Sequence, residues 1–399
     1  MCSTLDVYQS SSFILFVMGI LGLTSCSMDE KSPLELEVYS DMYIGGYPAD
    51  VSMNQHTDVY IDQGIDEGVY QSIDQDGDGF TSDQDCDDAD PMVNPHNPLS
   101  CVWSYIPLCP VSIQRAFTKE EMDPPTQGSN RYRVPSIEER NYFTASIEAA
   151  LMGDHINALN LAEEIGYQLC ASETNLLWSS KSSGGAVLAL RTHPNATSLI
   201  AEIPHAFFDL GTLEEGILVF ERINARALLS TGTHRCASDI DSGCAGSTQV
   251  CSLLTTGDFR MSDMAHTEES LFHAAHENLS RYFDSAYIIS LHAFLEPGVS
   301  VSNGTQKPTS SDSMVAYITE SMTRLLPNER ITSCNDYGAS NYETRVCGTT
   351  NTQGRHINGS PDACGTRPNA ANNRFIHIEQ NILLLNQPNV LVEAIDQVF

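Results

Sequence analysis

Residues able to bind metals or move protons recur at one kind of place in this 399-residue chain, directly after short apolar, β-prone runs. The run at 198–203 is followed by His205, Asp209 and Glu214, and that at 225–230 by His234 and Arg235. The run at 286–291 ends in His292, and that at 375–378 carries His377 and stops at Glu379. Two imidazoles and a carboxylate suit a catalytic zinc ion, which keeps a fourth position open for water. A further glutamate can take that water's proton, and an arginine can stabilise the oxyanion that follows. Serine-nucleophile chemistry lacks its G-x-S-x-G elbow, and Gly184-Gly185 has no phosphate-loop context. His276 shares a helical face with Phe272, Leu279 and Phe283 and His273 sits to one side of it, so the pair reads as core histidines rather than ligands, while His266 precedes that helix and can reach a rim.

A second group is purely acidic. Asp74, Asp76, Asp78, Asp83 and Asp85 fall in DQDGDGFTSDQD, with Gly79 after the third aspartate. Carboxylates at alternate positions converge on one hard cation and the glycine permits the sharp turn, which predicts calcium. Pro91 blocks the helix an EF-hand would need. The stretch resembles the short acidic metal-binding repeats of secreted bacterial proteins, similar in style to thrombospondin type 3 calcium repeats. That resemblance implies a stiffened spacer without chemistry of its own, with Cys86 tied to Cys101 or Cys109.

The elements that must position these groups follow from pattern. Ser136 and Glu139 make a capping box for a helix running to about 168 and broken near Gly153-Asp154. From 174 onward, β-prone runs at 175–178, 186–190, 198–203, 225–230, 286–291 and 375–378 alternate with helical patterns at 213–223, 268–283 and 313–326. This alternation predicts an α/β fold with a mixed, mostly parallel sheet flanked by helices, its site at the carboxyl ends of the strands. The composition is that of a folded chain, 41% apolar and 8% aromatic. A net charge of −32 excludes nucleic acid as a partner and disfavours anionic membrane surfaces. The acid is uneven: residues 29–90 hold 18 Asp+Glu against the single base Lys31.

The eleven-residue apolar run at 13–23 falls short of the roughly 20 residues a membrane span needs. Leu23-Thr-Ser-Cys26 after it resembles the lipobox of bacterial lipoproteins. That resemblance implies cleavage before Cys26, lipidation of its thiol, and residence in the bacterial cell envelope, with Ser27 permitting outer-membrane sorting. The membrane contact would be through this anchor only. Ten further cysteines, without any C-x-x-C, read as disulfides in an exported chain. Pairing is expected within 236–251 and within 334–364, which leaves the odd member of each cluster to look elsewhere.

The order His205, Arg235, His292 (in IISLHAF) and Glu379 (in FIHIEQ), with the helix TEESLFHAAHENLSRYF before His292, resembles zinc carboxypeptidases and their amidohydrolase relatives, including poly-γ-glutamate hydrolases. The likeness spans roughly residues 185–395. It implies zinc held by His205, Asp209 and His292, Glu379 as general base and Arg235 as carbonyl polariser. The family spacing is His-x-x-Glu, here His-x-x-x-Asp, so Glu214 stands as the alternative acidic ligand. Arg345, Arg355, Arg367 and Arg374 are candidates for a substrate carboxylate. The implied organisation is a signal peptide (1–25), a tether (26–72), the calcium motif (73–110), a helical lead-in (111–173) and a zinc domain (174–399). The implied activity is hydrolysis of amide bonds in a peptide, a peptidoglycan fragment or a γ-glutamyl polymer. The competing reading is a non-catalytic, calcium-stabilised surface lipoprotein that binds glycan or protein through a degenerate hydrolase fold.

Overall fold

The computed structural model describes residues 73–399 apart from 83, 86–87, 95–105, 173, 181–183, 253–254 and 337. Cys26, Asp83, Cys86 and Cys101 therefore lie outside the described residues, as do the expected signal peptide and tether.

Nine strands form one sheet: β1 (Gln168–Ser172), β2 (Asn175–Ser179), β3 (Val187–Arg191), β4 (Thr197–Ile203), β5 (Ala225–Ser230), β6 (Tyr287–Phe294), β7 (Val299–Ser302), β8 (Ile331–Ser333) and β9 (Phe375–Asn381). Their order is β1-β2-β3-β5-β4-β6-β9-β7-β8. The sheet is mixed rather than mostly parallel. Four pairings are antiparallel, β1–β2, β2–β3, β3–β5 and β7–β9, and four are parallel. The difference has a simple cause, since β1 to β3 are joined by connections too short for crossovers and must run as a meander. The parallel block β5-β4-β6-β9 stays intact at the centre, so these four strands present their carboxyl ends on one edge.

Alternate residues of the central strands feed two cores, because successive side chains of a strand point to opposite faces. Ile200, Ala227, Leu229, Ile288 and Phe375 pack with α3 (Ile137–Leu151), α4 (His155–Glu164), α6 (Leu271–Tyr282) and α8 (Thr352–Ile357). Ala201, Leu228, Ile289, Leu291 and Ile376 face the other way, toward α1 (Ile113–Ala116), α5 (Thr212–Arg222), α7 (Met314–Leu325) and α9 (Pro388–Asp396). The short α2 (Lys119–Met122) adds Met122 to the second core.

The 111–173 segment, expected as a helical lead-in, supplies α1 to α4 and then β1, with side chains in both cores. Ser136 and Glu139 cap α3 reciprocally, at 3.1 and 2.8 Å. Ser146 on α3 then donates to the Ala158 carbonyl of α4 and accepts from the indole N–H of Trp178 on β2. The chain turns into β1 at Gln168, so the boundary expected at 173/174 falls inside the β1–β2 hairpin.

Four disulfides cross-link the described residues: Cys109–Cys170, Cys236–Cys251, Cys244–Cys364 and Cys334–Cys347. The odd members of the two clusters, Cys244 and Cys364, find each other. Cys109 is taken by Cys170 on β1, which removes it as the partner of Cys86. No described helix is long and apolar enough to cross a membrane.

Candidate metal centre

The chain leaves β4 toward β5 on one side and later returns to place β6 on the other, so β4 is the point where strand order reverses. Ligands in open α/β sheets bind at such a point, outside the carboxyl ends. Directly after β4 the backbone makes one helical turn, with the Phe208 and Asp209 N–H groups both donating to the His205 carbonyl at 2.8 Å. In that turn, positions i and i+4 share a side. The four-residue spacing of His205 and Asp209 thus brings both side chains to one side of the turn. Glu214, the alternative acid, is exposed on α5 and takes no part.

On β6 and β9, Ser290 pairs with His377 and His292 pairs directly with Glu379. These four therefore share the face of Ile288 and Phe375. His205, Asp209, Arg235, His292, His377 and Glu379 all line one cavity of about 210 Å³.

Three donor atoms meet at its floor. His205 Nδ1 lies 3.3 Å from Asp209 Oδ2 and 3.2 Å from His292 Nδ1, and His292 Nδ1 lies 3.7 Å from Asp209 Oδ2. A tetrahedral zinc with ligands at about 2.0–2.1 Å has ligand–ligand edges of about 3.3–3.4 Å. All three residues are buried.

One outer contact fixes the tautomer of His205, and a second is compatible with the matching tautomer of His292. Asp263 Oδ1, an acceptor only, stands 2.7 Å from His205 Nε2, which places that ring's proton on Nε2 and leaves Nδ1 bare. His292 Nε2 lies 2.9 Å from Ser290 Oγ, a hydroxyl able to accept its proton, which is compatible with a bare Nδ1. Burial, followed by His377 and His205, pushes the His292 imidazole well below its ordinary range, so it stays neutral. Against burial and Arg235, Asp263 and Asp209 raise the His205 pKa, so the cluster attracts positive charge; two imidazole nitrogens and a carboxylate oxygen are a donor set that fits zinc.

Asp263, absent from the sequence-based candidates, ties the centre together. Its Oδ1 also accepts from His266 Nδ1 at 2.8 Å, while Oδ2 takes a fork from Arg235, Nε at 3.1 Å and Nη2 at 2.6 Å. Burial opposes its charge, but Arg235, His266 and His205 hold it well below the usual carboxylate range. Arg235 thus spends two of its nitrogens on Asp263 and turns Nη1 toward the cluster, 3.4 Å from His205 Nδ1. His266 reaches the rim, stacked on Phe259 with its Nε2 3.1 Å from Thr350 Oγ1.

Glu379 makes its one polar side-chain approach among the described residues to His377, Oε1 to Nε2 at 3.7 Å. Burial first, then the charge of Asp209, pushes its carboxyl well above the ordinary range, against the pull of Arg235. His377 packs under Gly348, whose φ of +65° suits glycine and where any Cβ would stand 2.7 Å from the imidazole.

The acidic loop presents a different chemistry. Asp74 accepts from the Gly77 and Gly79 amides at 2.7 and 3.0 Å, and Asp78 from that of Phe80 at 2.9 Å. Ligand atoms of Asp74, Asp76 and Asp88 lie within 4.8 Å of one another, as do those of Asp76, Asp78 and Asp85. Asp76 Oδ2 and Asp78 Oδ2 are buried without a hydrogen-bond partner, a cost that a hard cation would remove. Asp88 joins the set although it lies beyond the twelve-residue spacing.

The arginines proposed from sequence as carboxylate binders are dispersed. Arg345 pairs with Glu296 and Glu343, Arg355 donates to backbone carbonyls, and Arg374 bonds the carbonyls of Ser280 and Asp284. Only Arg367 stays exposed without such a partner.

No family model and no curated protein matches the chain. Among solved structures it is similar to a bacteriophage poly-γ-glutamate hydrolase, at 13% identity and a TM-score of 0.31, over 54% of this chain and 87% of that one. It is also similar to a succinylglutamate desuccinalase of Vibrio parahaemolyticus, at 10% identity and a TM-score of 0.28, over 60% of this chain and 80% of that one.

Proposed function

We propose that this chain is a zinc-dependent hydrolase of amide bonds, in which His205, Asp209 and His292 hold the metal. The supporting observation is the convergence of His205 Nδ1, Asp209 Oδ2 and His292 Nδ1 within 3.7 Å of one another, in the same cavity as an otherwise weakly partnered, partly buried Glu379. When bound, zinc supplies a Lewis acid that polarises a carbonyl and acidifies water. Glu379, its proton affinity raised by burial, accepts a proton from water and returns it to the departing amine nitrogen. Arg235 Nη1, the edge left over from the Asp263 fork, faces the growing charge on the carbonyl oxygen. Asp263 holds His205 in the tautomer that keeps Nδ1 bare.

The substrate class is a peptide, a peptidoglycan fragment or a γ-glutamyl polymer. Four disulfides favour an oxidising compartment, in keeping with export and an anchor at Cys26. The acidic loop holds calcium through Asp74, Asp76, Asp78, Asp85 and Asp88, as a structural ion.

Metal analysis joined to an amide-substrate panel tests the reading. One zinc per chain is expected, lost in His292→Ala and kept in Glu379→Gln, with hydrolysis lost in both. Calcium without zinc would instead support the non-catalytic binding protein.

A further inference from the structure

We propose that Thr350, His266 and Asp263 form a second reactive centre in the same cavity: a hydroxyl nucleophile, its base and the acid that orients the base, able to accept the acyl group of a carboxylic ester. Thr350 Oγ1 lies 3.1 Å from His266 Nε2, and His266 Nδ1 lies 2.8 Å from Asp263 Oδ1. Both distances fall in the range that such a triad requires, and a triad is defined by the roles of its members in space rather than by their order in the chain. Thr350 and His266 line the metal-centre cavity, yet the zinc chemistry uses neither.

The proton positions follow from the partners. Asp263, kept charged by the Arg235 fork, can only accept, so the His266 proton sits on Nδ1. Burial lowers the His266 pKa against the pull of Asp263, so the ring carries that one proton. Nε2 is then a bare lone pair, and the proton between it and Thr350 Oγ1 is the hydroxyl's own. The threonine therefore donates to its base and keeps its oxygen lone pairs for an electrophile in the cavity.

Packing holds the pair in register. The His266 ring stacks on Phe259, with centroids 3.7 Å apart and planes within 8°. Gly246 backs both partners, since a Cβ there would stand 2.5 Å from the Phe259 ring and 3.1 Å from Thr350 Cγ2. Directly after Thr350, the Asn351 side chain caps α8, accepting from the Gly354 N–H at 2.8 Å. Thr352 Oγ1 and Gln353 Nε2 then donate to the carbonyls of Ala265 and Met264, at 3.3 and 2.9 Å. The segment bearing the hydroxyl is thus tied to the segment bearing the imidazole. Among the described residues the main-chain N–H groups of Thr349 and Thr350 have no acceptor, which leaves donors in the cavity wall for an oxyanion.

In the reaction, Thr350 Oγ1 attacks the ester carbonyl carbon and its proton passes to His266 Nε2. The bond from that carbon to the alcohol oxygen breaks, and His266 returns the proton to the departing alkoxide. Water then attacks the acyl-threonine with His266 again taking the proton, which releases the carboxylic acid and restores Thr350. Esters suit this centre because an alkoxide leaves more readily than an amine anion.

The test uses the full chain stripped of zinc and kept in calcium, with p-nitrophenyl acetate as the probe. A burst of nitrophenol is expected, with one acetyl group per chain by intact mass, mapped to Thr350 in the peptide digest. Thr350→Val should lose burst and label while Thr350→Ser keeps both, and His266→Gln should slow acylation about 100-fold or more. Zinc uptake by Thr350→Val should match that of the unaltered chain. Labelling that survives Thr350→Val, acetyl groups spread over lysines without one on Thr350, or no burst at all would overturn the second centre. Should Thr350→Val fail to fold, the position of the acetyl group on the unaltered chain decides alone. Failure to bind zinc or to cleave amides bears on the metal centre and leaves this result standing.

Discussion

Asp263→Asn isolates the residue on which the centre's geometry depends. The aspartate serves two histidines through Oδ1 and the Arg235 fork through Oδ2. An asparagine can satisfy only one side. With its oxygen toward the histidines, its NH2 meets the Arg235 fork and leaves a buried guanidinium facing a donor. With the amide flipped, NH2 meets His205 Nε2, forces that nitrogen to accept, and moves the ring proton to Nδ1, the atom a cation needs. Loss of such an orienting partner typically weakens metal binding 10–100-fold. Breaking a buried ion pair from one side costs about 3–5 kcal/mol, and the lower end applies because Nη1 reaches the cavity. The expected result is a zinc Kd raised at least 10-fold in competition with a chromophoric chelator, together with an unfolding free energy, from urea melts, lowered by roughly 3 kcal/mol even in the metal-free protein. Unchanged zinc affinity in a folded Asp263→Asn protein would refute the assignment of His205 Nδ1 as a ligand atom held by this contact.

Away from the centre, Glu202 on β4 meets His276 on α6 at 2.6 Å, both fully buried. Burial pushes the carboxyl up to about 8 and the imidazole well below 6.5. The raised carboxyl stabilises below its unfolded value near 4.5 and loses that contribution as pH rises through about 8; the depressed imidazole contributes above about 6.5. The two nearly cancel between about 4.5 and 6.5, so folding stability should fall by on the order of 2 kcal/mol between pH 6.5 and 8, and urea melts of Glu202→Gln should lose that slope. Replacing Cys244 and Cys364 by serine opens a cross-link spanning 120 residues and should cost roughly 4 kcal/mol in denaturant melts, with an unchanged midpoint counting against a native bridge. Asp76→Asn with Asp78→Asn should abolish calcium binding in equilibrium dialysis while zinc content stays at one per chain; retained calcium would remove these two residues from the loop's ligand set.

Strand positions were readable wherever an apolar run was long enough to be buried on both faces. The runs at 198–203, 225–230, 286–291 and 375–378 correspond to β4, β5, β6 and β9 with ends shifted by a few residues. β1, β7 and β8 escaped notice because QLCAS, VSVS and ITS are too short and serine-rich to announce a strand; their neighbours in the sheet, not their own propensity, hold them extended. The polar residues after the central strands were legible because parallel strands must deliver their ends to one edge. Asp263 was not, since it sits on a loop 28 positions beyond Arg235 with no periodic signal, though an acid three residues before His266 was a faint one. His276 is buried as its helical pattern predicts and His273, placed to one side by that pattern, is buried too, because their neighbour His356 comes from α8, which pattern alone could not bring there.

His292 and Glu379 occupy facing positions on hydrogen-bonded strands, whereas Asp209, Arg235, Asp263 and Thr349 all ride on connecting segments. The interval between the former two is thus a property of the main chain, as invariant as a rung spacing in a ladder. Drift in the loops can alter the groups around the cavity while leaving that interval untouched.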